Sequence, residues 1–337
     1  MINGLIDLVD MSQAVGKSQD YIQGGGGNTS VKLDDVLMAI KASGSLLSEM
    51  NVSNGFVALK YKEILEYHRE TPKLQAGRDY NKEVMDQAIA SIVQVNGEPT
   101  KRPSVEAGFH ALLKRCVIHT HSVYANVLMC SEGGIEKAQE ILKSAGISSI
   151  WVPCVKPGYF LTEAVIAAMH DETPDIILIQ NHGIIAHAEG AADCIRLHER
   201  ANSAVKQALE LPDFPRCTIQ KRGDFYTSST QWLKEKTADK ELLKICFHVP
   251  LYPDQLVYLT GSGPDITDGK IAFEGGNIIY KTGESEAQAI EETLCGVVYV
   301  VDCIRKSGLD IHTMSEQDAD YINNWDSEKY RKQLIGK

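Results

Sequence analysis

CVIHTHSVYANVLMC, residues 116–130, sets two imidazoles two positions apart where a short apolar run ends. CVIHT reads as a β-strand, and on a strand the side chains at i and i+2 leave the same face. His119 and His121 can therefore aim both rings at one point. Immediately upstream, SVEAGFHALLKRC carries Val105, Phe109, Leu112 and Cys116 at helical spacing, so a helix leads into the strand.

The alternation of helix and strand continues outward. Leu5–Tyr21 fits a helix through Leu5, Leu8, Val9 and Val15, ended by QGGGGNTS. SVKL and VLMAIKA, separated by Asp34 and Asp35, read as a hairpin, and DYNKEVMDQAIASIVQ as a helix. ISSIWVPCV and DIILIQNHGIIAHA are β-rich, and GAADCIRLHERANSAVKQALEL is a long helix ending near Pro212. These elements predict an α/β domain over residues 1–211. Residues 212–337 read as a smaller C-terminal α+β extension. It holds QLVYLTGSG, a hairpin over KIAFEGGNIIYKTG, a helix from Ser285 to Arg305, and a tail, SEQDADYINNWDSEKYRKQL, with two short capped helices.

The chain has 337 residues, 43% of them hydrophobic, enough for one substantial core and a smaller second one. Forty-five acidic against 34 basic side chains give a net charge of -11, which argues against nucleic acid as a partner. Eight cysteines are scattered singly, the pattern of reduced thiols in a cytoplasmic protein. No signal-like or membrane-spanning apolar stretch occurs in the sequence, so a soluble protein without a membrane partner is expected.

The paired histidines admit two readings: a polar strand end with solvated rings, or part of a metal chelate. A catalytic zinc ion takes three protein ligands and keeps a position open. His182, at the end of DIILIQNH and beside a glycine, is the best third ligand if its strand neighbours CVIHT. His187, five residues on, is expected to face the other way and to be structural. His68, His170, His198, His248 and His312 read as surface or satisfied core residues.

Glu106 follows a helix start at Pro103 and Ser104. It is either an acid–base group or a first-turn carboxylate favoured by the helix dipole. His110, one turn on, shares its face or simply packs. GGGGNTS and KASGS offer backbone N–H groups and small polar side chains that, with the helix start at Ser104, could surround an anion. The glycines match neither a P-loop nor a dinucleotide fingerprint.

As an ordered set, GGGGNTS, KASGS, RPSVEAGFH, VIHTHSVYAN and IQNHGIIA resemble the class II aldolase/adducin family. Its members include zinc-dependent L-fuculose-phosphate and L-rhamnulose-phosphate aldolases, epimerases, a dehydratase and adducin heads. The tail NNWDSEKYRKQL is similar to the end of aldolase domains in rhamnulose-phosphate aldolase/dehydrogenase fusions. The resemblance implies a three-layer α/β/α sandwich around a mostly antiparallel central sheet. It implies Zn2+ or another divalent metal on His119, His121, His182 and Glu106, with Glu106 also the catalytic acid–base.

The family's phosphate pocket falls on Gly27, Asn28, Ser43, Gly44 and Ser104. Val105 replaces a second serine that many fuculose-phosphate aldolases carry, and no motif marks the tyrosine that such aldolases contribute from a neighbouring subunit. The implied reaction is retro-aldol cleavage of a ketose 1-phosphate to dihydroxyacetone phosphate and an aldehyde through a zinc-stabilised enediolate, in a homotetramer. Epimerase, decarboxylase and dehydratase chemistry on a sugar phosphate or sugar acid are the alternatives within the family. An adducin-like assembly module is a further one, although such a module has no need of three converging histidines.

Overall fold

A computed structural model describes residues 2–70, 75, 77–93, 101–170, 173–266 and 269–324. The first two thirds run α1 (Ile2–Gly16), β1 (Asn28–Lys32), β2 (Leu37–Lys41), β3 (Phe56–Lys60), α2 (Tyr61–Glu70), α3 (Tyr80–Ala90), β4 (Ile92–Val93), α4 (Ala107–Leu112), β5 (Cys116–Thr120), α5 (Val123–Met129), α6 (Gly134–Ser144), β6 (Ser149–Val152), α7 (Tyr159–Met169), β7 (Ile176–Ile179), β8 (Gly183–Ala188) and α8 (Ala191–Ala208). The rest runs β9 (Ile219–Arg222), β10 (Phe225–Ser228), α9 (Gln231–Lys236), α10 (Lys240–His248), α11 (Pro253–Leu259), β11 (Ile271–Glu274), β12 (Asn277–Tyr280), α12 (Glu284–Lys306) and α13 (Glu316–Asn324). The second half of the predicted tail, from Trp325, lies outside the described residues.

Eight strands form one sheet in the order β4-β3-β2-β1-β5-β8-β7-β6. Among its pairs only β6 with β7 is parallel. Helices cover both faces, which gives the three layers that the resemblance implies. Central strands buried on both sides read as continuous apolar runs, and β5 and β7 are buried at every position. Cys116, Ile118 and Ala186 pack under α1 and α8, while Val117, Ile177 and Ile185 pack under α4 and α7.

The run 175–188 is a hairpin, β7 and β8, with Ile179 paired to Gly183 and His182 in the turn. The neighbour of β5 is thus β8, after His182, and not the strand before it. The chain reverses here because Asn181 adopts φ 53°, and because a Cβ on Gly183 would overlap the Thr120 carbonyl oxygen. Counting alternation from His182 across that turn misplaces His187. It pairs with Val117, so its side chain leaves the same side of the sheet as His119, one alternation step toward the other end of the strand.

Glu106 is not in a helical first turn. The helix begins at Ala107 and is six residues long, with Glu106 at its N-cap position. Pro103 bridges Ala42, and the Ser104 N–H donates to the Lys41 carbonyl, so residues 103–104 are tied to the end of β2 instead of opening a helix.

The C-terminal residues form a second, four-stranded antiparallel sheet, β11-β12-β10-β9, beside α12. The segment QLVYL is helical, as part of α11. The apolar face of α12 shares a core with α5, the helix after the histidine pair, through Val123, Tyr124, Val127, Leu294 and Val298. No described helix is long and apolar enough to cross a membrane.

Candidate metal centre

Three ring nitrogens meet where the strands end. β1 pairs antiparallel with β5 in the register Asn28 to His119, which carries the end of the glycine run to the first histidine. His121 lies just past β5, and His182 comes in from the β7–β8 turn. His119 Nε2 stands 3.2 Å from His121 Nε2 and 3.3 Å from His182 Nε2. All three rings are buried.

The partner on the far side of each ring bears on which nitrogens face this point as acceptors. His119 Nδ1 is 3.0 Å from the Ile184 carbonyl oxygen, which can only accept, so Nδ1 carries the proton and Nε2 a lone pair. Burial also pushes the His119 pKa down to about 4, so the ring is neutral near pH 7. His121 Nδ1 donates to the carboxylate of Asp254, and in the neutral form of the ring this turns the Nε2 lone pair toward that of His119. Opposed lone pairs at this distance repel unless a cation lies between them. Neighbouring ligand atoms of a tetrahedral ion bonded at about 2.0–2.1 Å stand about 3.3–3.4 Å apart. The donor set and its spacing therefore fit a divalent metal.

Glu106 borders the same point, with Oε2 3.6 Å from His119 Nε2 and Oε1 3.6 Å from His182 Nε2. The Asn28 amide donates to Oε2 at 2.6 Å and to Ser104 Oγ at 3.1 Å, while Oε1 is buried without a hydrogen bond. His110, held neutral by burial, fixes the amide: Nε2 donates to Asn28 Oδ1, and Nδ1 accepts from Ser30 Oγ at 2.7 Å. His110 is thus linked to Glu106 by way of Asn28.

One cavity is lined by Gly27, Asn28, Ser43, Gly44 and Ser104 together with Glu106, His121, His182, Lys41 and Val105. The structure brings all five residues expected at a phosphate to that wall. Their donors differ from the expected cradle of backbone amides. The Ser43 and Ser104 N–H groups are taken by the carbonyls of Arg102 and Lys41, and those of Gly24 and Gly26 by Glu292 and the Gln23 carbonyl. Both hydrogens of the Asn28 amide are engaged as well, by Glu106 Oε2 and Ser104 Oγ, so Asn28 backs this wall and the Ser43 and Ser104 hydroxyls face it.

The glycine run serves close packing as well. Gly24, Gly25 and Gly27 have φ of 56°, 85° and 63°, which favour glycine. Gly26 needs its missing side chain, because a Cβ there would overlap Asp254 Oδ2 and lie 2.8 Å from His121 Nδ1. Lys41 Nζ donates to the carbonyls of Gly25 and Gly27 at 2.7 and 3.0 Å, which pins the run to β2.

Of the other histidines, His198 is a core residue bonded to Thr120 Oγ1 at 2.7 Å, and His312 bonds Asn181 Oδ1 at 2.7 Å. His68 pairs with Glu163 at 2.7 Å. Asp254 was invisible to sequence reasoning. It sits 133 positions from His121, in a segment without a motif.

A family model described as the class II aldolase and adducin N-terminal domain matches residues 6–209. Among curated proteins, 215 residues are 26% identical to the "Uncharacterized oxidoreductase YuxG" of Bacillus subtilis (strain 168), a match covering 61% of this chain and 29% of that protein's length. A stretch of 144 residues is 31% identical to the methylthioribulose-1-phosphate dehydratase of the same organism, covering 37% of this chain and 68% of that enzyme. Among solved structures, the N-terminal class II aldolase domain of a conserved protein from Thermoplasma acidophilum has a TM-score of 0.50 at 21% identity. That match covers 60% of this chain and 92% of the domain, and it speaks to the fold.

Proposed function

Because the chain belongs to the class II aldolase and adducin family, we propose that it is a metal-dependent sugar-phosphate aldolase, which cleaves a ketose 1-phosphate to dihydroxyacetone phosphate and an aldehyde. The observation that carries this reading is the convergence of three buried imidazoles beside a carboxylate, Glu106, whose Oε1 has no hydrogen-bond partner. His119, His121 and His182 would hold the metal, zinc in this reading, with Glu106 as a further ligand before substrate arrives. A bound divalent cation would supply Lewis-acid stabilisation of the negative charge that builds on substrate oxygens during cleavage.

The chain's own groups do the rest. Ser43, Ser104 and the Gly27 and Gly44 turns receive the phosphate, with Asn28 orienting Ser104 from behind, and this sets the reacting carbons against Glu106. In cleavage Glu106 takes the proton of the C4 hydroxyl on Oε1, the C3–C4 bond breaks, the aldehyde leaves, and the electron pair stays with C3. Glu106 returns a proton to C3 from Oε1, held in place by the Asn28 bond to Oε2. Burial of the site keeps water from competing for that proton. A cytoplasmic homotetramer belongs to the same reading.

One specific observation favours a second reaction: the 31% identity to a methylthioribulose-1-phosphate dehydratase over 144 residues. Dehydration would use the same wall and the same carboxylate but release water and keep the carbon chain intact. A screen of ketose 1-phosphates with the zinc-loaded chain separates the two. Release of dihydroxyacetone phosphate supports the aldolase; a dehydrated product of unchanged carbon number replaces it with the dehydratase; neither product from any ketose 1-phosphate removes both.

A further inference from the structure

The side chain behind His121 comes from outside the segment that the family model matches. Asp254 lies in α11, beyond residue 209, and is fully buried against His121 Nδ1. Several contacts fix it there. Tyr258, one turn on, donates its hydroxyl to the Gly24 carbonyl, and Glu292 of α12 accepts the Gly24 N–H at 3.1 Å. The Gln255 side chain ties down the entry to α11, accepting from the Leu251 N–H at 2.6 Å and donating to the Cys246 and Val249 carbonyls at 2.8 Å each. Asn181, the neighbour of His182, donates to the Leu251 carbonyl at 2.8 Å. The extension thus grips both loops that carry the outer two histidines.

Charge gives this contact its meaning. Two buried acidic side chains, Glu106 and Asp254, face the three imidazoles, with Lys41 buried nearby. Buried carboxylates are costly unless paired, and a divalent cation on the far side of His121 would complete a carboxylate–imidazole–metal line. A carboxylate in that position fixes the ring's tautomer and raises its basicity as a ligand.

We propose that Asp254 is a positioning residue for the metal ligand His121, and that the C-terminal extension is therefore a working part of the metal centre. This rests on the metal-dependent reading above. The extension supplies the proton acceptor that turns the Nε2 lone pair of His121 toward the cation. Its seat is built by Gly26, where no side chain intervenes.

The test uses the full-length chain, stripped with a chelator, in wild-type and Asp254→Asn forms. Zinc affinity is measured by competition with a chromophoric chelator, and thermal unfolding of both metal-free forms is recorded. The variant should bind zinc about 10- to 100-fold more weakly, with a metal-free unfolding midpoint no lower than that of the wild type. Unchanged zinc affinity would overturn the inference, as would a lowered metal-free midpoint accompanied by wild-type affinity, which marks a purely structural role. Should the variant fail to fold, nitrogen NMR of the wild-type histidines decides. A His121 ring protonated at Nδ1 before and after zinc supports the inference, and protonation at Nε2 in the metal-free chain overturns it. A wild-type chain that binds no divalent cation would defeat the functional reading and this inference together.

Discussion

Glu106 and Asn28 lie 78 positions apart in the chain and 2.6 Å apart in space, joined by an amide hydrogen whose direction His110 dictates. The carboxylate is held by one oxygen, and the other, buried, has no hydrogen-bond partner. A Glu106→Gln variant should keep its fold and most of its metal, since the three imidazoles remain, while kcat drops by about 10²–10⁴. Steady-state kinetics on a verified substrate check this. An unchanged rate would remove Glu106 from the proton transfer.

Ser104 makes a separate prediction. Its oxygen accepts from Asn28 Nδ2 at 3.1 Å and from the Glu106 N–H at 3.3 Å, so its own proton is left to donate into the cavity. A hydrogen bond to a charged group contributes about 1.5–3 kcal/mol. Ser104→Ala should raise KM for a phosphorylated substrate at least tenfold and leave that for the unphosphorylated analogue little changed. Equal effects on both would show that this wall does not hold phosphate.

Gly26→Ala should separate packing from ligation. The added methyl would overlap Asp254 Oδ2 and press on His121 Nδ1, and overpacking of this kind costs about 1–3 kcal/mol. Urea unfolding and metal content measured together should both fall. A variant with wild-type stability and metal content would mean that the approach of the glycine loop to Asp254 is looser than described.

The buried His198 adds to the acid sensitivity of the fold. Burial pushes its pKa down to about 3, against about 6.5 for an unfolded histidine. The folded value is the lower one, so the unfolded chain takes the proton first. The contribution of His198 to stability is complete above about pH 6.5 and is lost toward pH 3, at up to about 1.4 kcal/mol per pH unit. Buried His187, with its pKa pushed down to about 4, adds a loss of the same sign. Urea unfolding of the metal-free chain should show falling stability from pH 7 to pH 5, with a shallower slope in His198→Gln. The same slope in the variant would contradict the assignment.

Much of this site could be read from order and period alone. CVIHT is a strand because its apolar residues stop where its imidazoles begin, and the hairpins and α12 follow from patterns that act within a few residues. The parts that could not be read depend on contacts between distant segments. Glu106 lies outside α4 because the Lys41 carbonyl claims the Ser104 amide. A helix that turns back into an antiparallel strand brings its own start beside that strand's end, so Glu106 and His119 meet without any special loop. His187 was misplaced because alternation holds within one strand and not across a turn at Asn181. Asp254 carries no signal of its own, since one aspartate in YPDQ gains meaning only when Gly26 makes room for it.

The measurement that reaches the central claim most directly is zinc content and affinity of the chelator-stripped chain, in wild-type form and with His119→Ala or His182→Ala. The wild type should take up about one zinc ion per chain, and both variants should lose it while their circular dichroism shows the fold retained. A wild-type chain that takes up none, or folded variants that bind it as tightly as the wild type, would contradict the account.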